Sequence, residues 1–215
     1  MRLGNVVLSE LDKLRTLPIT VLTMAGTITV AAVIGAAQRR AAAPVDVVPY
    51  VQAGFLLLGI LPVGNEYTGR QFRTSLIAVP ARGLLAVGKT AAAVVALMLT
   101  AVAAAAVQYA LDTEAEGIGR YVGMTAYLMV IGLLAYAIAL LVRHLVPALV
   151  GALCLVLILS PLLAGLTEHA RWLPDRAAAE LYQPTDAALT GPLVAAAWIA
   201  VIGAVAIRRF HRSDG

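Results

Sequence analysis

Apolar residues in this chain fall into long runs separated by short polar intervals, and the spacing predicts six hydrophobic helices. Ile19 to Ala37 is 19 residues without a charge, long enough to cross a hydrocarbon core. Val47 to Gly64 follows, beginning near Pro49 and bent or ended near Pro62. Leu84 to Leu111 is rich in alanine and valine and closes on the acidic residues Asp112, Glu114 and Glu116. Tyr121 to Val142 is the fourth run, and Arg143-His144 make a tight connection to the fifth, Pro147 to Leu166. After a long polar interval, residues 167–190, comes Gly191 to Ile207, followed by the basic tail Arg208 to Arg212.

Two polar intervals carry their own periodicity. From Arg2 to Leu17, Leu3, Val7, Leu11 and Leu14 share one helical face while Glu10, Asp12, Lys13 and Arg15 are placed off it. This predicts an amphipathic helix over residues 1–18 that lies along a membrane surface and is broken by Pro18. From Asn65 to Arg82, Phe72, Leu76 and Val79 recur at i, i+4 and i+7. Arg70 and Arg73 fall elsewhere on the turn, and Pro80 stops the helix before the third apolar run. The plainer reading of that interval is a basic loop between two spans.

Composition makes lipid the expected solvent. Of 215 residues, 61% are hydrophobic and 13% charged, against about a quarter charged in a soluble domain. Mean hydropathy is +0.88. A net charge of +4 invites thoughts of nucleic acid, but the basic residues cluster between apolar runs, as membrane topology requires. The first run is longer than a signal-peptide core of about 7–15 residues and five more follow, so it is expected to remain as a span although Ala41-Ala42-Ala43 resembles a cleavage site. The single Cys154 cannot form an intrachain disulfide. Eighteen glycines suit close packing of helices in lipid, and Gly119-x-x-x-Gly123 is one possible packing face.

An even number of spans places both ends on one side. With that side inside, eleven Lys and Arg residues are internal and five external (Arg39, Arg40, Arg120, Arg171 and Arg176). The expectation is an all-α integral membrane protein, one domain over residues 1–215, with both termini cytoplasmic. The interval 167–190 is expected to dip back as a short helix, a simple outer loop being the alternative; Trp172 and Tyr182 look like interfacial anchors.

Candidate chemistry is sparse. Gly83-Leu84-Leu85-Ala86-Val87-Gly88-Lys89-Thr90 matches the phosphate-loop pattern, but it sits where a span begins and lacks the preceding strand, so the match is read as coincidence. Lys89 is expected to snorkel to the cytoplasmic surface. The middles of spans one, four, five and six contain no Asp, Glu, Lys or Arg, which disfavours an ion-driven carrier. Thr23, Thr27, Thr29, Gln52, Thr100, Gln108 and Ser160 are read as interhelical glue. His144, His169 and His211 lie apart, so no metal or catalytic set is expected and the chain is not read as an enzyme.

These residues resemble the ATP-binding-cassette type-2 permeases, the membrane subunits of bacterial exporters. The resemblance covers the whole chain: the opening Ser9 to Thr16, six spans and a long outer interval before the last. Its sharpest part is Glu66-Tyr67, Gly69, Arg73-Thr74-Ser75-Leu76 and Val79-Pro80-x-Arg82, with Arg70 standing where many members have a short residue such as Thr. The resemblance implies that 65–82 is a cytoplasmic coupling helix that docks on a separate ATPase through Glu66, Tyr67, Gly69, Arg70, Phe72, Arg73 and Leu76. Glu10, Lys13, Leu14 and Arg15 would mark the interfacial helix beside it. It implies two permease chains (a homo- or heterodimer) and two ATPase chains in the bacterial cytoplasmic membrane, with ATP and Mg on the partner and no cofactor on this chain. An amphiphilic cargo (drug, peptide or lipid) would follow an apolar path between subunits. The competing reading is a non-transporting membrane anchor or sensor subunit for a cytoplasmic partner.

Overall fold

A computed structural model of the chain describes residues 3–41, 46–68, 82–112, 117–183 and 190–212. It is helical, with no strand among the described residues. A surface helix α1 (Leu3–Thr16) leads into α2 (Pro18–Ala41), with Pro18 at the first helical position, where a missing N–H is harmless. Then come α3 (Val48–Thr68), α4 (Arg82–Leu111) and α5 (Ile118–Val142). The fifth rod is compound: α6 (Leu145–Leu153), a π stretch (Cys154–Leu159) and α7 (Ser160–Leu166). A 3-10 turn (Glu168–Trp172), the short α8 (Pro174–Ala179) and α9 (Thr190–Arg212) complete the chain.

The π stretch has a local cause. Pro161 has no N–H for the carbonyl four residues back, and its ring crowds that turn. The helix widens ahead of it, and Ser160 N–H bonds to the Leu155 carbonyl, five residues back.

Successive rods alternate in direction. Glu10 and Lys89, Thr90 and Tyr136, and Gly64 and Leu145 meet at one end, here called proximal. Gln108 and Ala31, Asp46 and Tyr182, and Ser160 and Asp175 meet toward the other, distal end. α5 is the centre. Its Leu128, Ile131 and Leu134 are fully buried with Phe55, Leu56 and Ile60 of α3 and Leu97 of α4. A side chain on Gly59 would collide with the Gly132 carbonyl, so these two glycines set how closely α3 and α5 approach.

Four helices are long and apolar enough to cross a membrane: Pro18–Arg40, Ala86–Leu111, Ile118–Val142 and Leu145–Leu166. The predicted second and sixth spans correspond to shorter apolar helices, Val48–Gly64 and Thr190–Ala206. Seventeen apolar residues rise only about 25 Å, less than the hydrocarbon core of about 30 Å. Among the four, burial is uneven: 56% of the α5 window but only 17% of Leu145–Leu166 is covered by the chain itself. The peripheral rods therefore carry most of the exposed apolar surface, including Val150, Ile158 and Leu162.

Several boundaries differ from expectation. Of the two outcomes expected at Pro62, a bend or an end, the end does not occur: α3 continues to Thr68 and takes in Asn65, Glu66 and Tyr67. α9 runs on through the basic tail to Arg212. The phosphate-loop match lies in the opening turns of α4, whose backbone N–H groups, past the first turn, belong to the helix.

Candidate functional site

Among the described residues two buried polar constellations stand out, one at each end. At the proximal end, α1 lies along α4 by the face Val6, Glu10, Leu14, all buried at i, i+4 and i+8. This corrects the expected face: Val7 and Leu11 are only half-buried, and Glu10 is at the contact rather than off it. Gly88 makes the approach possible, since a Cβ there would lie 2.6 Å from Val6 Cγ1. One residue on, Lys89 is buried at 7% exposure and donates from Nζ to Glu10 Oε2 at 2.9 Å. Lys13 Nζ donates to the other carboxylate oxygen, Oε1. Lys89 thus does not snorkel outward; it is turned into the α1–α4 seam by a carboxylate 79 positions earlier.

Burial by itself would raise the Glu10 carboxyl, but the Lys13 and Lys89 ammonium groups outweigh it and hold the carboxyl below its ordinary range. Leu14 closes the seam and Arg15 stays exposed beside it. Of the other residues predicted for partner coupling, Gly69, Arg70, Phe72, Arg73 and Leu76 lie outside the described residues, and Glu66 and Tyr67 fall in the last turn of α3.

At the distal end, residues 174–183 fold back onto the bundle. Pro174, Asp175, Ala177 and Ala178 are buried. Ser160 Oγ donates to Asp175 Oδ2, and Arg176 Nε donates to Ser160 Oγ at 3.2 Å. Tyr182 Oη donates to Asp46 Oδ2 at 3.3 Å, while Asp46 Oδ1 accepts from the N–H of Val48 and so starts α3. Tyr182 stacks edge-on against Tyr127 with centroids 5.0 Å apart, and Tyr127 Oη donates to Gln52 Oε1 at 2.7 Å. Tyr182 is therefore a buried clasp residue and not an exposed anchor. Trp172 is 44% exposed, with Arg171 5.2 Å above its ring and its carbonyl accepting from Trp198 Nε1.

Gly123 of the small-residue pair receives the backbone of Leu181 and Tyr182, whereas Gly119 has nothing within 4 Å. Within this chain the pair meets no second helix; one member seats the returning segment. Of the polar residues expected to join helices, Gln52, Gln108 and Ser160 do so, and Thr23 and Thr100 bond to carbonyls of their own helices. Among the described residues no group of three or more His, Cys, Asp or Glu side chains is arranged to hold a metal. No protein-family model matches the chain, and no curated protein matches it.

Proposed function

We propose that the chain is the membrane-embedded permease subunit of an ATP-binding-cassette exporter, worked by a separate cytoplasmic ATPase. The six rods cross the bacterial cytoplasmic membrane with both termini inside, α3 and α9 completing their crossing with the polar turns that extend their apolar cores. The proximal end faces the cytoplasm, in keeping with eleven of sixteen basic residues on that side. The ATPase docks on residues 65–82, and its closure is passed to α4 and, through α4, to α1. The cargo is an amphiphile that moves along the apolar faces of the peripheral rods, between two permease chains.

The observation that carries this reading is the buried Glu10–Lys89 pair. A surface helix held only by apolar contacts can slide; one fastened by a buried charge pair to the helix that follows residues 65–82 must move with it. That is a transmission built for force arriving from the cytoplasmic side. The experiment is to purify the tagged chain from its native membrane and assay the complex for ATP hydrolysis and for vesicle transport. An ATPase should accompany the chain, and replacing Glu66 and Phe72 with alanine should lower hydrolysis at least several-fold. A chain that retains a cytoplasmic partner but supports neither hydrolysis nor transport is the membrane anchor of the competing reading.

A further inference from the structure

We propose that Asp175 is a proton-operated catch: with its carboxyl neutral it fastens the α8 segment across the distal end of the bundle, and on ionising it lets that segment go. The segment is tied at four places. Gly123 in α5 seats the backbone of Leu181 and Tyr182, Tyr182 reaches Asp46 ahead of α3, Gly191 N–H at the head of α9 donates to Glu180 Oε2 at 2.9 Å, and Ser160 on α7 donates to Asp175.

The last tie differs from the others. Asp175 is 6% exposed, and its second oxygen, Oδ1, is buried with no hydrogen-bond partner among the described residues. An ionised carboxylate with an oxygen bare in such a place is costly, whereas a neutral acid tolerates it. Arg176, the cation beside it in sequence, directs its Nε to Ser160 Oγ, and its side chain is otherwise exposed. The π stretch matters here as well, because it sets the rotation at which Ser160 arrives opposite Asp175.

Burial raises the Asp175 carboxyl above its ordinary range; the Ser160 hydrogen bond, the backbone N–H groups of Asp175 and Arg176 and the Arg176 guanidinium oppose this only in part. A raised acid binds its proton more tightly in the fastened state. The fastening is therefore strongest at low pH, weakens as pH rises above the ordinary carboxylate range, and levels off beyond the raised value. Other ionisable groups surround the segment: Arg176, Glu180 and Tyr182 on it, Glu168, His169 and Arg171 on the 3-10 turn, Arg120 and Tyr127 on α5, and Asp46 ahead of α3. α7 and α9 up to Ile207 carry none. The inference stands apart from the permease reading, since it concerns only how this chain closes its own distal end.

The test is amide hydrogen exchange on the full chain in lipid nanodiscs between about pH 4.5 and about pH 8, corrected for intrinsic exchange and referenced to α5. Protection of 174–183 should fall about tenfold or more with rising pH, and D175N should stay protected throughout. Protection that ignores pH in the unmodified chain, or a D175N chain that keeps the same pH response, overturns the proposal. Should D175N fail to fold, infrared spectra of the unmodified chain carrying carboxyl-labelled aspartate decide instead. A neutral carboxyl band must persist above the pH at which exposed aspartates ionise, and its absence overturns the proposal equally.

Discussion

Glu10 and Lys89 meet at 2.9 Å in a seam that leaves each less than a tenth exposed. Removing one partner strands the other, which costs about 3–5 kcal/mol when the survivor stays charged and buried. Glu10→Gln should therefore lower the melting temperature of the purified chain substantially. Adding Lys89→Met should restore most of the loss, because no unpaired charge remains. A Glu10→Gln variant as stable as the unmodified chain would mean that the seam is held by packing alone.

The same pair predicts a pH response. The Glu10 carboxyl is held below its ordinary range, so the stability it contributes is complete above that range and is lost as pH falls through the lowered value. Amide protection of residues 3–16 should thus decline on acidification. This is opposite in sign to the response expected of the distal segment and falls below the ordinary carboxylate range, so an exchange series carried to lower pH separates the two ends.

Gly88 offers a steric test of α1 docking. A Cβ placed 2.6 Å from Val6 Cγ1 forces the helices apart, and overpacking of this kind costs about 1–3 kcal/mol. Gly88→Ala should destabilise the chain and expose α1 to protease, and a second change, Val6→Ala, should recover part of both. Gly83→Ala, with nothing within 4 Å, should do neither.

The proximal site was half legible in the sequence. The periodicity of α1 is visible in the sequence, but the charge on Glu10 points away from its place in the seam. Seven residues after Leu3, Glu10 is rotated from it by only about 20°, so geometry alone places it beside the apolar stripe. Lys89 stood as the one cation well inside an apolar helix, yet nothing local names its partner 79 positions away. The rods were readable because their apolar runs are long. The distal cluster was not, since Asp46, Ser160, Asp175 and Tyr182 share no spacing and are gathered only by the return of residues 174–183.

Gly119 and Gly123 should respond differently to the same change. Gly123→Ala drives a methyl into the Leu181 carbonyl, a backbone group that cannot rotate away, and should cost about 1–3 kcal/mol and loosen residues 174–183. Gly119→Ala should be silent or slightly stabilising. Equal effects in thermal unfolding would show that the pair acts as a helix-packing motif after all.

Tyr127→Phe removes the donor to Gln52 Oε1 while leaving the ring against Tyr182. A buried acceptor left without its donor costs about 1–3 kcal/mol, so thermal stability should fall although the aromatic contact survives. Tyr127→Leu should fall further.

The widened turn between Cys154 and Leu159 acts as a phase setter for everything downstream of it on that rod. Were the same residues wound as ordinary helix, the Ser160 hydroxyl would swing by about 100° around the axis. The acid beneath would then face hydrocarbon in place of a hydroxyl. A straighter, more regular helix would in this instance make a looser molecule.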